Sequence, residues 1–266
     1  MNNAVNGQVT TKNGITDYIR FGSGPRVLVM IPGVGDGLKT VKGTAIPFSL
    51  MYRSMTKDFT VYAFSRRREL AQHTDTREMA QDLSDAMDVL GLSHAAVLGV
   101  SQGGMIAQWL AADHPDKVDK LVLTVTAPCR NEVIETVITR WMKMAEQGDY
   151  KGIMMDTAEL SYSPEKLGSA RISYKLLGNV GKPKSFDRFM IQAESCLTHD
   201  AREVLGTISC PTLVIGGTDD KIVSGKASED LAEMIPGAQL YMYEGLSHGL
   251  YEEAKDFNER VMAFCR

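Results

Sequence analysis

The sequence predicts an α/β fold, a mostly parallel sheet flanked by helices, and three observations carry that prediction. Short apolar runs of strand length alternate with amphipathic stretches of helix length. Several runs are apolar throughout and bounded by Gly or Pro, as strands buried on both faces require. A glycine-flanked serine stands where one such run gives way to a helix.

The first two strands are expected over Gln8–Lys12 and Thr16–Phe21, joined by Asn13-Gly14, a pair that favours a tight hairpin, so the sheet should open antiparallel. Arg26–Ile31 (RVLVMI), between Gly24-Pro25 and Pro32-Gly33, is the first doubly buried strand. Phe59–Phe64, His94–Val100, Val118–Val125, Pro211–Gly216 and Ala238–Tyr243 share its character. Helices are expected at Ile46–Thr56, Thr76–Leu90, Gln102–Asp113 and Ser224–Met234, with a last one near Tyr251–Phe264. Thr76, Met79, Leu83, Met87 and Leu90 fall on one helical face.

The alternation stops after Thr126-Ala127-Pro128 and resumes at Ile208-Ser209-Cys210-Pro211. Residues 128–207 read as an inserted helical subdomain, and 1–127 with 208–266 as the core. The insertion is rich in Met (Met142, Met144, Met154, Met155, Met190), for which core packing is the default reading. Breaks at Ser163-Pro164, Gly178 and Gly181-Lys182-Pro183 favour several short helices over one long one.

Composition narrows the function. The 29 Lys+Arg against 33 Asp+Glu leave no cationic surplus for a general grip on nucleic acid. Arg66-Arg67-Arg68 reads as a solvated loop in preference to a clamp for an acidic substrate. No window of about 18 apolar residues occurs and Met1–Gly7 lacks a basic stretch followed by an apolar run, so a cytoplasmic protein without membrane association is expected. Cys129, Cys196, Cys210 and Cys265 stand far apart, which fits free thiols better than a disulfide frame or a zinc site.

Gly99-Val100-Ser101-Gln102-Gly103 is a G-x-S-x-G phrase in strand–turn–helix context. A sharp turn there strains the central residue, crowds its neighbours so that only glycine fits two places either side, and holds the hydroxyl up at the sheet's edge. A serine hydroxyl needs a base to take its proton and an acid to orient that base. Of five histidines, His248 alone follows the last strand in a turn-like stretch, Glu244-Gly245-Leu246-Ser247-His248-Gly249, at the end of the sheet where sites gather. The acid is expected after Thr212–Gly216, where Asp219 and Asp220 are adjacent candidates.

With these residues the chain resembles the α/β-hydrolase-fold serine hydrolases, in the compact branch with a helical cap that includes esterases, enol-lactonases and carbon–carbon bond hydrolases. The resemblance runs nearly end to end, from the hairpin start to the phrase Ile208-Ser209-Cys210-Pro211-Thr212-Leu213-Val214-Ile215-Gly216 and beyond. It implies an eight-stranded, mostly parallel sheet with the cap inserted after the sixth strand. It also favours Asp220 over Asp219, because the acid of such proteins takes the fourth position of G-x-x-D-x-x-V, here Gly217 to Val223. The oxyanion donors it implies are the backbone N–H groups of Gln102, after the nucleophile, and of Val34, in the loop after the third strand. Pro32 stands where relatives often have a histidine.

The expectation is therefore a serine hydrolase of a small ester or lactone with catalytic Ser101, His248 and Asp220, calling for neither metal nor organic cofactor. The alternatives are hydrolysis of a carbon–carbon bond in a diketone, and a small-molecule receptor that keeps the triad with little turnover. Monomer and homodimer both stay open. A nicotinamide-dependent reductase is disfavoured: the third glycine of G-x-G-x-x-G would fall at Leu38, and Pro164 interrupts the helix that would align Tyr162 with Lys166.

Overall fold

Eight segments of the chain form one sheet: β1 (Val5–Thr11), β2 (Gly14–Gly22), β3 (Arg26–Ile31), β4 (Phe59–Arg67), β5 (Ala95–Val100), β6 (Val118–Thr124), β7 (Thr212–Gly217) and β8 (Gln239–Tyr243). The computed structural model describes residues 3–168 and 181–266, so the break expected at Gly178 lies outside the described residues. The strand order is β1-β2-β4-β3-β5-β6-β7-β8. β2 runs antiparallel to both of its neighbours, and every pair from β4 to β8 is parallel. The opening hairpin closes at Asn13-Gly14 as expected, with Thr11 opposite Gly14, but its strands are longer than the apolar runs because pairing continues to Val5 opposite Arg20.

Helices accompany the sheet, among them α1 (Ala45–Met51), α2 (Thr76–Val89), α3 (Gln102–Asp113), α4 (Glu132–Glu146), α5 (Tyr150–Ser161), α6 (Asp187–Thr198), α7 (Arg202–Leu205), α8 (Gly225–Met234), α9 (Leu250–Glu253) and α10 (Phe257–Cys265). The helix expected to 56 stops at Met51 and gives way to a short 3-10 turn, Arg53–Met55. The last expected helix is two pieces, because Ala254 adopts an extended conformation between α9 and α10. α2 starts as its sequence dictates: the Asp75 carboxylate accepts from the Glu78 N–H and the Glu78 carboxylate from the Asp75 N–H, a capping box that satisfies two otherwise orphaned donors.

Side chains of β3 alternate between two cores. Val29 and Ile31 pack with Met79 and Leu83 of α2, Ile106 and Leu110 of α3 and Leu231 of α8. Leu28 and Met30 pack on the opposite face with Ala45 of α1 and Phe257 and Val261 of α10. A third cluster joins Ile134, Val137 and Trp141 of α4, Ile153 of α5 and Phe189 of α6 to Val34, Met105, Ile222 and Val223 from the loops and helix at the sheet's rim. The helices between β6 and β7 thus share a continuous apolar cluster with the sheet-bearing part, which seats them over the C-terminal ends of the strands. Each large buried side chain there contributes about 1.5–3 kcal/mol.

The arginine run corrects the reading of a solvated loop. β4 continues through Arg67, so Arg66 and Arg67 belong to a strand. Arg67 Nε lies 3.3 Å from Asp82, and Arg68 makes a two-pronged pair with Asp17 at 2.6 and 2.9 Å. Arg66 is only 6% exposed. Each guanidinium has a protein partner, because a cationic run at a strand end must either reach water or bring its acceptors inside.

Candidate active site

The backbone of Ser101 carries the first site feature. Its φ of 56° and ψ of −123° are strained for a residue with a Cβ, and α3 begins at the next residue. The turn is held by the Ser101 N–H donating to the Thr124 carbonyl (2.9 Å) and by the Thr126 hydroxyl donating to the Ser101 carbonyl (2.8 Å). The flanking glycines are needed for space: a Cβ on Gly99 would collide with the Gly103 carbonyl, and one on Gly103 with the Ile31 carbonyl. Thr126 was not apparent from the sequence, because a hydroxyl acting on a carbonyl one strand away leaves no pattern in the chain.

His248 and Asp220 meet across the β7 and β8 loops. His248 Nδ1 lies 2.9 Å from Asp220 Oδ2 and 3.2 Å from Oδ1, and both residues are buried. Asp220 Oδ1 also accepts from the backbone N–H groups of Ile222 (2.9 Å) and Val223 (3.0 Å). Burial alone would raise this carboxyl, but the charge and hydrogen bond of His248 and the two backbone bonds outweigh it and hold it below its ordinary value. An ionised Asp220 only accepts, so Nδ1 carries the hydrogen and Nε2 is left as the basic nitrogen. Asp219 is exposed and accepts from the Thr218 hydroxyl instead (3.1 Å). The geometry separates two carboxylates that the residue types alone left equivalent.

Ser101 and His248 line one pocket of about 440 Å³. Its walls come from the loop after β3 (Gly33, Val34), from Phe48 of α1 and from α4–α6 (Trp141, Ile153, Met154, Phe189). Val34 opens a short 3-10 turn, Val34–Gly37. Gln102 is the first residue of α3, and the first N–H groups of a helix have no intrahelical acceptor. A Cβ added to Gly33 would sit 3.2 Å from Ser101 Cβ, so the Gly33-Val34 loop passes directly beside Ser101.

The His248 loop is tied to the inserted segment from both sides. The Ser247 hydroxyl donates to the Leu160 carbonyl (2.6 Å), and the Gly249 N–H to the Ser161 carbonyl (2.8 Å). A second set of ties, also invisible in the sequence, lies behind Gln102: its side-chain amide donates to the Gln192 carbonyl (2.6 Å) and lies 2.9 Å from the Ser195 hydroxyl, both on α6. His199, the other buried histidine near this region, points elsewhere: its Nδ1 is 2.9 Å from the Thr76 hydroxyl and Trp109 packs edge-on at 6.4 Å. It is a packed core residue. Tyr162 and Lys166 both contact Glu252.

Comparison with known proteins agrees with this architecture. A family model for the alpha/beta hydrolase fold matches residues 26–151. A 2-hydroxy-6-oxononadienedioate/2-hydroxy-6-oxononatrienedioate hydrolase from Pseudomonas sp is 25% identical over 95% of this chain and 92% of its own length. A pimeloyl-[acyl-carrier protein] methyl ester esterase from Chromobacterium violaceum is 36% identical over 58% of this chain and 63% of its own. Among solved structures, an alpha/beta hydrolase enzyme from a deep-sea metagenome library superposes with a TM-score of 0.86 at 20% identity, covering 97% of this chain and 96% of its own. An enol-lactonase from Burkholderia xenovorans superposes at 0.80, also at 20% identity, covering 97% and 99%. No helix among the described residues is long and apolar enough to cross a membrane.

Proposed function

The chain has the α/β-hydrolase fold, and from that premise we propose that it is a serine hydrolase that cleaves a small carboxylic ester or lactone in the pocket roofed by its inserted helices. The observation that carries the reading is the buried Asp220–His248 pair beside a pocket that Ser101 lines from a strained turn.

In the proposed reaction the Ser101 hydroxyl attacks the carbonyl carbon as its proton passes to His248 Nε2. The Gln102 and Val34 N–H groups hold the oxyanion that forms. Collapse of the tetrahedral intermediate expels the alcohol, which takes the proton from His248 and leaves an acyl group on Ser101. Water, its proton taken by His248 as it attacks, adds to that acyl carbon; collapse of this second tetrahedral intermediate breaks the bond to Ser101, whose oxygen takes the proton back from His248 as the carboxylic acid leaves. Asp220 keeps the imidazole in the required tautomer and stabilises its transient charge. The largely apolar walls favour an acyl part without charge.

Turnover of p-nitrophenyl acetate, butyrate and octanoate by the wild type and Ser101→Ala tests this. The expected result is a preferred chain length and a loss of about 10⁴-fold or more in kcat for the variant. A variant as fast as the wild type would sink the reading. A second reading, hydrolytic cleavage of a carbon–carbon bond in a diketone, is favoured by the similarity over nearly the whole chain to the Pseudomonas hydrolase. It becomes the leading one if the wild type ignores all three esters and consumes a diketone in a Ser101-dependent way.

A further inference from the structure

We propose that Arg66 is a positioning residue of this reaction, its guanidinium joining the two loops that carry the oxyanion donors and setting a buried positive charge behind them. The proposal rests on the serine-hydrolase reading above. Arg66 is the penultimate residue of β4, which pairs with β3 on the side away from β5. Its Nη2 donates at once to the Pro32 carbonyl and to Gln102 Oε1, the latter at 2.8 Å. The Pro32 carbonyl belongs to the planar peptide that leads into Gly33-Val34, so fixing the oxygen fixes the plane from which that loop departs. Gln102 supplies the other donor from its main chain, while its side chain is gripped by Arg66 at one end and by Gln192 and Ser195 at the other. The two donors therefore cannot drift apart without lengthening a bond to one shared nitrogen.

Charge counting supports the second half of the proposal. The cluster joins buried Asp36 and Arg66 to half-buried Arg188, one negative and two positive groups. The Asp36 carboxylate accepts from Arg188 Nη2 (2.9 Å), from the Arg66 main-chain N–H (3.0 Å) and from Gln192 Nε2 (3.3 Å). Among the described residues no carboxylate accepts from the Arg66 guanidinium, whose Nε and Nη1 have no hydrogen-bond partner. One net positive charge therefore stays on a side chain 6% exposed. Burial pulls this guanidinium down to about 10, partly offset by Asp36, so it remains charged at neutral pH. A fixed cation in a water-poor site stabilises a developing oxyanion more than the same charge in water. If Arg66 served packing alone, replacing it with an apolar side chain of similar length would alter stability and spare kcat.

The test is p-nitrophenyl butyrate kinetics, labelling of Ser101 by a fluorescent fluorophosphonate, and inhibition by phenylboronic acid, which forms an anionic tetrahedral adduct with serine. All are run on the wild type, Ser101→Ala, Arg66→Met and Arg66→Lys, with thermal melts by circular dichroism. Arg66→Met is expected to lower kcat by about 30- to 100-fold with KM within about threefold, and to weaken the boronate by a similar factor. Arg66→Lys keeps the charge, but its ammonium ends a shorter stem than Nη2 and cannot reach both acceptors, so it should recover part of the loss. A folded Arg66→Met with kcat within about threefold of the wild type overturns the proposal. Should Arg66→Met not fold, Arg66→Lys decides, and a wild-type kcat in that variant overturns it. A wild type that neither hydrolyses the ester nor is labelled at Ser101 defeats the serine-hydrolase reading, and the role of Arg66 with it.

Discussion

Neighbouring residues of one type can have different fates, and the pair Asp219 and Asp220 shows why. Successive side chains in a loop cannot point the same way, so one carboxylate enters the interior and gains His248 and two N–H donors while the other stays with water and Thr218. Asp220→Asn should lower kcat by about 10⁴-fold, because an amide stabilises the wrong imidazole tautomer. Asp219→Asn should leave it within about twofold, since an exposed charge is largely screened. Steady-state ester hydrolysis on the two variants checks both, and equal losses would mean that the acid is not specified by this contact. The arginine run teaches the same point: three adjacent cations take three different acid or carbonyl partners.

At the scale of elements, the elbow depends on how closely β5, α3 and β3 approach. Gly103 lies against the Ile31 carbonyl with no room for a methyl group. Gly103→Ala should therefore destabilise the fold by about 2–4 kcal/mol, read as a lower urea midpoint, because backbone cannot give way as a flexible side chain can. An unchanged midpoint would show that α3 can slide away from β3 freely. Gly249 is a second such contact, between the His248 loop and the inserted segment: a Cβ there would meet the Tyr162 ring at 2.7 Å. Gly249→Ala should therefore cost more in kcat than in melting temperature, since it displaces the loop that carries His248, and the ratio of the two losses tests this.

The whole molecule carries a pH dependence that the site does not explain. His199 is buried between Thr76 and Trp109, and burial pulls it down to about 4, against an ordinary value near 6.5. The unfolded chain binds the proton first, so stability is fully present above about pH 6.5 and is lost as pH falls toward 4, by about 3 kcal/mol at most. His199→Gln should flatten urea midpoints between those limits, and an undiminished slope would assign the effect to other groups. How much of this was legible beforehand follows from the range of each interaction. The order of strands and helices, the hairpin at Asn13-Gly14, the serine turn and the isolation of His248 after the last strand are local matters of periodicity, turn chemistry and spacing, so the sequence by itself determined them. The ends of α1 and the split between α9 and α10 escaped it, because apolar periodicity continues past the residues where the backbone turns away. The residue types left Asp219 and Asp220 open, the resemblance favoured Asp220, and the contact with His248 is tertiary; tertiary structure alone decided that Arg66 is buried near the end of β4, that Thr126 holds the Ser101 carbonyl, and that α5 and α6 grip the loops of the site. Each of those contacts joins residues 25 or more positions apart, where folding rather than sequence neighbourhood sets the distance.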